Sequence, residues 1–122
     1  MFDRMVVHHA LEKSWEVAYN TQRTRYHNTV KGMDRITSLL VYDIFGGDIL
    51  KTPTKNGWHF YNRIEGKRID FTNVQKIKSI DDTVVEDIPC SPVELFQTFE
   101  EEEYESLAVL FIRAYEKAIG LE

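Results

Sequence analysis

The feature that most restricts the fold of this chain is a predicted β-hairpin in its middle. Residues 58–64 and 67–72 alternate apolar and polar side chains, as half-buried strands do. Glu65-Gly66 lies between them and is a two-residue hairpin loop, with glycine where a positive φ is favoured. A loop of this length fixes the register and pairs Asn62 with Ile69. The sequence therefore predicts an antiparallel sheet here.

Strand alternation places the polar side chains of the hairpin on one face. On this face His59 and Asp70 are diagonal neighbours, close enough for their side chains to meet. A carboxylate beside an imidazole fixes its tautomer and stabilises its cation, which is the supporting half of a catalytic triad. A cross-strand polar pair without catalysis is the alternative, and geometry alone favours it because such pairs are common in sheets. The predicted polar face consists of His59, Tyr61, Arg63, Arg68 and Asp70.

Two helices are predicted before the hairpin. Apolar residues at helical spacing predict the first over residues 3–19, and the polar segment 20–31 is predicted to be a loop. Asp34 is a favoured N-cap for a second helix over residues 35–45. Gly46-Gly47 ends this helix, because glycine accepts the positive φ of a helix C-terminus.

Shorter elements flank the hairpin. Residues 48–52 alternate and predict a strand that Pro53 ends, and residues 83–85 are a candidate edge strand. Residues 72–75 have the pattern of a capping box for a short helix. Ser91-Pro92 is a second helix start, with a cap followed by proline at the first helical position.

The C-terminal segment predicts the last long helix. Its apolar stripe runs from Tyr104 to Ala118, and the acidic residues 100–103 precede it, where the helix dipole favours negative charge. We therefore predict a single globular domain over residues 1–122. Its class is α+β, with a small antiparallel sheet of three or four strands packed with three main helices.

Composition excludes several classes of protein. The net charge is −5 and the basic residues are scattered, so nucleic-acid binding is not expected. The longest apolar run, residues 108–112, is far shorter than the roughly 18 residues that a membrane span needs. One cysteine, Cys90, and no secretory signal predict a cytoplasmic protein in a reducing compartment.

Three segments together resemble a known family. They are GMDRITSLLVYDIFGGDIL at residues 32–50, HFYNR at residues 59–63 and IDFT at residues 69–72. Their order and spacing resemble the YunG-like family of bacterial proteins. That family's pattern has Gln-Cys before a helix, a histidine at the start of a strand and an aspartate on the next strand. The resemblance implies a papain- or transglutaminase-type Cys-His-Asp site and a papain-like fold.

In such a site a helix N-terminus and an imidazole activate the thiol, and the glutamine donates to an oxyanion. By this resemblance His59 and Asp70 match the histidine and the aspartate. Asp34 stands where the family has cysteine, and Met33 stands where it has glutamine. A carboxylate is a poor nucleophile for acyl transfer, so thiol catalysis is not expected.

The leading hypothesis is therefore a catalytically degenerate relative of a Cys-His-Asp hydrolase or transferase scaffold. It would keep a polar site for a small molecule or peptide, and no cofactor is expected. One alternative is an interaction module or homodimer without an active site. Another is an active hydrolase that uses Asp34 or Cys90, although Cys90 follows Pro89 in an irregular segment and is predicted to be an incidental thiol. The candidate ligand-binding residues are Met33, Asp34, His59, Tyr61 and Asp70.

A metal site is the less favoured interpretation of the same residues. Asp34, His59 and Asp70 would supply oxygen and nitrogen ligands if they converged. Transition-metal sites usually carry more histidine or cysteine, so a hydrogen-bonded cluster without metal is predicted.

Overall fold

The computed structural model describes residues 2–22, 29–55, 57–72 and 85–120. These residues form four helices, three of them long, and one four-stranded antiparallel sheet, which confirms the predicted α+β class. The helices are α1 (Arg4–Gln22), α2 (Thr29–Phe45), α3 (Pro92–Phe96) and α4 (Glu101–Ala118). The strands are β1 (Asp48–Thr54), β2 (Gly57–Ile64), β3 (Lys67–Ile69) and β4 (Ile88–Cys90).

The chain divides into two compact units, residues 1–31 with 100–122 and residues 32–99. In the first unit α1 packs against α4. Leu11 of α1 and Phe111 of α4 are among its fully buried side chains, because each lies on the apolar stripe of its helix. The backbone N–H of Glu100 donates to the Glu103 side chain at 3.1 Å, so the predicted acidic helix start is confirmed. The single domain stays a prediction.

The second unit contains the sheet, with strand order β3-β2-β1-β4. The hairpin has the predicted register, since Asn62 pairs with Ile69 and Ile64 pairs with Lys67. Both loop residues adopt positive φ, as in the two-residue hairpin turns whose twist matches that of the flanking strands. β3 ends at Ile69, however, so the predicted pairing of strand residues up to position 72 is wrong.

Helix α2 lies on one face of this sheet. The buried side chain of Asn62 donates from Nδ2 to the backbone oxygen of Ser38 in α2, at 3.0 Å. Apolar side chains of α2 and of the same sheet face are buried around this contact, as expected for a helix on a sheet. They include Ile36, Leu39 and Leu40 of α2 and Ile49, Phe60 and Ile64 of the strands.

The beginning of α2 differs from the prediction. The helix starts at Thr29, so Asp34 is an interior residue and its predicted role as N-cap is wrong. Its carboxylate instead accepts hydrogen bonds from β2, which removes the competition between side chain and backbone that makes aspartate favour caps. The predicted helix end is confirmed, because α2 stops before Gly46, whose φ is 82°.

The structure also bears on the predicted bounds of four other segments. The predicted loop over residues 20–31 is wrong at both ends, since α1 continues to Gln22 and α2 begins at Thr29. β1 continues through Pro53, so the predicted strand end there is wrong. Among the described residues, β4 pairs with β1 only at Ile49–Lys51, and a strand position that is paired on one side tolerates proline. Val85 is not in a strand. The remainder of the predicted edge strand and most of the predicted 72–75 helix lie outside the described residues.

The helix start at Ser91 is confirmed. Its hydroxyl accepts from the backbone N–H of Glu94 at 3.2 Å, and Pro92 occupies the first helical position of α3. Among the described helices, none has a stretch long and apolar enough to cross a membrane.

Candidate functional site

His59 of β2 is held between two carboxylates. Its Nε2 lies 2.5 Å from Oδ2 of Asp70, and its Nδ1 lies 3.2 Å from Oδ2 of Asp34. The three side chains are only 13%, 18% and 11% exposed for His59, Asp70 and Asp34. The structure therefore brings together three residues that are separated in sequence by 25 and by 11 positions.

The end of β3 positions Asp34. β3 pairs with β2 only as far as Asn62, so Phe60 lies beyond the last pair of that ladder. The backbone N–H of Phe60 donates to Oδ2 of Asp34 at 3.0 Å, where a longer β3 would have supplied a carbonyl. The same carboxylate oxygen thus binds the β2 backbone and the imidazole of the preceding residue.

The turn after β3 positions Asp70. Both the backbone N–H and the hydroxyl of Thr72 donate to Oδ1 of Asp70, each at 3.3 Å. These bonds fix the carboxylate so that its other oxygen faces His59. Such a local loop, closed by an aspartate side chain on the backbone two residues later, is common in turns.

This geometry favours the imidazolium form of His59. Ionised carboxylates only accept hydrogen bonds, so both ring nitrogens have to donate. Burial lowers the pKa of His59, but the hydrogen bonds and charges of Asp34 and Asp70 outweigh it and raise the pKa to about 9. With both carboxylates ionised, the cluster carries one net negative charge.

The same hydrogen bonds argue against a metal at this site. A histidine binds a metal through the lone pair of a ring nitrogen, and both nitrogens of His59 face carboxylate oxygens. Within the described parts of the chain, no group of three or more potential ligands could hold a metal ion.

A second hydrogen-bonded network adjoins the cluster through Tyr61. The ring of Tyr61 stacks on that of His59, with centroids 6.0 Å apart and planes 18° apart. Its hydroxyl donates to Asp87, and Arg68 donates to both oxygens of Asp87, at 3.0 and 2.5 Å. Burial and the bond to Asp87 raise the pKa of Tyr61, so the phenol stays protonated. The bond to Arg68 lowers the pKa of Asp87 despite partial burial.

The predicted site residues are therefore placed in different ways. Asp34, His59 and Asp70 are in direct contact, and Tyr61 stacks on the histidine while its hydroxyl is occupied by Asp87. Met33 is buried beside Asp34 in α2. Asp87 was not predicted from the sequence. It adopts a positive φ of 54°, which aspartate tolerates better than most residues, and no sequence motif marks such a position.

Cys90 does not approach this cluster. It pairs with Ile49 in the ladder between β4 and β1, and β1 separates β4 from β2, which carries His59. The thiol is buried, and burial with the nearby Glu94 raises the pKa of Cys90 to about 11. A neutral buried thiol is unreactive. The hypothesis that Cys90 acts as a nucleophile with His59 is contradicted by this placement.

Comparison with known proteins places these observations in a family. The model of the family described as YunG protein matches residues 3–116. The chain belongs to the YunG family. It is 36% identical over 107 residues to the uncharacterized protein YunG of Bacillus subtilis (strain 168). The aligned region covers 88% of this chain and 90% of that protein. No solved structure matches the chain.

The YunG match extends beyond the three segments that carry the resemblance. It includes all of α1, most of α4 and all four strands of the sheet. The name of the Bacillus relative states no activity. A papain-like fold and a Cys-His-Asp chemistry therefore stay predictions for this YunG-family chain.

Proposed function

We propose that this YunG-family protein is a non-catalytic relative of a Cys-His-Asp hydrolase or transferase scaffold. In this proposal Asp34 replaces the nucleophile, and the cluster with His59 and Asp70 serves as a polar site for a peptide or small molecule. The observation that carries the proposal is that Asp34, which stands at the predicted nucleophile position, contacts the ring nitrogen of His59 opposite to the one held by Asp70.

That arrangement is the general form of an activated nucleophile. Such sites place a nucleophile against one side of a base and an orienting group against the other. A thiol at position 34 would meet Nδ1 of His59, and the thiolate and imidazolium would stabilise each other. The carboxylate of Asp34 instead stabilises the imidazolium by its own negative charge. Unlike a thiolate, it is a poor nucleophile for acyl transfer.

The remaining hydrogen-bonding capacity of Asp34 indicates the class of ligand. Its Oδ2 accepts from Phe60 and faces His59, whereas no group among the described residues donates to its Oδ1. The cluster has an excess of negative charge. A ligand with an N–H donor, such as a peptide amide, an amine or an amidine, fits this site better than an anion.

The first experiment restores the thiol. We would prepare Asp34→Cys in a Cys90→Ser background, so that position 34 carries the single thiol, and measure alkylation by iodoacetamide as a function of pH. An inherited site predicts an apparent thiol pKa at least about one unit below the ordinary value of about 8.5, because His59 stabilises the thiolate.

Two control variants make the result specific. Cys90→Ser alone has no thiol and should not react. Adding His59→Gln to the Asp34→Cys variant should return the thiol pKa to its ordinary range. If the thiol titrates near about 8.5 with or without His59, while circular dichroism is that of the parent, the site was never arranged for this chemistry and the proposal fails.

The second experiment begins with the wild-type chain. Benzamidine, butylamine and N-methylacetamide would be added in turn, and the ring resonances of His59 followed by NMR. At least one of these donors should shift the resonances saturably, and Asp34→Asn should weaken the effect. Absence of any saturable shift at millimolar probe would contradict the binding part of the proposal.

A further inference from the structure

The first unit contains a cleft, and none of the described residues that line it belongs to the Asp34 cluster. Its volume is about 340 Å³, and it lies between α1 and α4. Both helices belong to the unit formed by residues 1–31 and 100–122. Concave sites from about 300 Å³ upward are large enough for a small molecule.

Three of the residues that line the cleft are basic. We call Lys13, Arg113 and Lys117 its basic rim, since all three line the cleft and all are exposed. Within the described parts of the chain, none of the three has a carboxylate partner at ion-pair distance. Among the described residues, no acidic one lines the cleft.

This charge distribution is unusual for the chain. Acidic residues outnumber basic ones by 20 to 15, and α4 itself contains several glutamates. Arg113 and Lys117 are four residues apart on α4, where side chains are neighbours and like charges repel. Glu16 and Glu116 belong to the same two helices but are not among the described residues that line the cleft, so the charged groups at its lining are the three basic ones. Their local positive field would be relieved by an anion.

Three other residues that line the cleft are apolar. We call Val17, Leu110 and Ala114 its apolar floor. Ser14 also lines the cleft, but its hydroxyl donates to the backbone oxygen of Ala10 at 2.7 Å. The hydroxyl proton is therefore already used, and the basic rim supplies the donors for an anion.

We propose that the cleft binds a small amphipathic anion. A carboxylate or phosphate group would contact the basic rim, with Arg113 as the residue able to bind two oxygens at once. A short hydrocarbon portion would cover the apolar floor. The occupant that we propose is a free small molecule, whose charged group and short hydrocarbon portion match the basic rim and the apolar floor. Contact with a membrane surface is an outcome that the experiment distinguishes.

The experiment compares four probes of equal chain length on the full chain. Octanoate and octyl phosphate carry the anion, octanol lacks the charge and octylamine reverses it. Amide resonances of residues 13–17 and 110–117 would be followed by NMR during each titration. Both anions should shift these resonances saturably at millimolar concentration or below, and the two control probes should bind at least about tenfold more weakly.

Variants then test the basic rim and the apolar floor separately. Arg113→Gln with Lys117→Gln should weaken octanoate binding at least about tenfold, whereas Lys67→Gln, an exposed lysine of the second unit, should leave it unchanged. Ala114→Leu narrows the cleft without changing its charge and should also weaken the binding of both anions.

Three outcomes would overturn the proposal. One is the absence of a shift with either anion, and another is equal binding of octanol and octanoate. The third is binding to phosphatidylglycerol vesicles without binding of the free anions, which would identify the basic rim as a membrane contact.

Discussion

Oδ2 of Asp34 accepts the backbone N–H of Phe60 at 3.0 Å and lies 3.2 Å from Nδ1 of His59. One oxygen of a side chain in α2 therefore binds the backbone and the imidazole of two successive residues of β2. This connects the helix to the sheet at the point where β3 has ended. The contact stabilises the fold whether or not the cluster binds a ligand.

Removing the Asp34 carboxylate should destabilise the second unit. Asp34→Ala leaves the Phe60 N–H and the Nδ1 of His59 without their acceptor in a largely buried position. We expect the free energy of unfolding to fall by roughly 2–4 kcal/mol, measured by urea denaturation at neutral pH.

Asp34→Asn is the matched comparison, because it keeps the shape and one oxygen for the Phe60 amide. It should cost less stability than Asp34→Ala and should still lower the pKa of His59, since the negative charge is gone. Equal losses for the alanine and asparagine variants would mean that the hydrogen bond to Phe60 contributes nothing.

The stability of the chain should depend on pH through His59. Its pKa rises from 6.5 to about 9 on folding, so the folded state binds the proton more tightly than the unfolded state. This contribution is fully present below pH 6.5 and is lost as pH rises through about 9. A shift of this size corresponds to at most about 3 kcal/mol.

The measurement is urea denaturation at several pH values between 6.5 and 9, for the parent and for His59→Gln, in a Cys90→Ser background. The background matters because the pKa of Cys90 also rises, from 9.0 to about 11, so it too contributes a loss of stability at alkaline pH. The difference between parent and His59→Gln should shrink as pH rises. A difference independent of pH would show that the neighbouring carboxylates do not stabilise the protonated form of His59.

The contact between His59 and Asp70 could be predicted from local rules. Loop length fixed the register of the hairpin, and alternation then made the two residues diagonal neighbours, without reference to any distant part of the chain. By contrast, the contact with Asp34 depends on how α2 lies on the sheet. Only the resemblance to the YunG-like pattern suggested that position 34 belonged with the hairpin.

The predictions that were wrong concern mainly residues whose tertiary contacts override their local propensity. Asp34 looked like an N-cap because aspartate favours that position, but a tertiary contact with β2 engages its carboxylate. Pro53 was predicted to end a strand. It lies within β1, at a position that the described part of β4 does not pair with, and proline is tolerated at such a position. The partnership of Tyr61, Arg68 and Asp87 joins two distant segments, and no spacing rule predicts it.

The two glycines between α2 and β1 should differ in how well they tolerate alanine. Both adopt a φ of 82°, which costs an L-residue about 1–2 kcal/mol. A Cβ at Gly46 would meet no atom of the described residues within 4 Å, whereas a Cβ at Gly47 would lie 2.3 Å from the backbone oxygen of Arg63. Position 47 thus carries a steric requirement in addition to the conformational one.

We therefore expect Gly46→Ala to lose about 1–2 kcal/mol of unfolding free energy and Gly47→Ala to lose about 1–3 kcal/mol more. The two variants change the unfolded chain equally, so the difference between them reports the native state alone. The obstructing atom belongs to the backbone of β2, directly beside the pairing of Asp48 with Arg63, so relief requires the first pair of the β1–β2 ladder to separate. Hydrogen exchange should then be faster for amides at that end of the ladder in Gly47→Ala only. Equal stability for the two variants would mean that β1 moves away from Arg63 at little cost, contrary to this account.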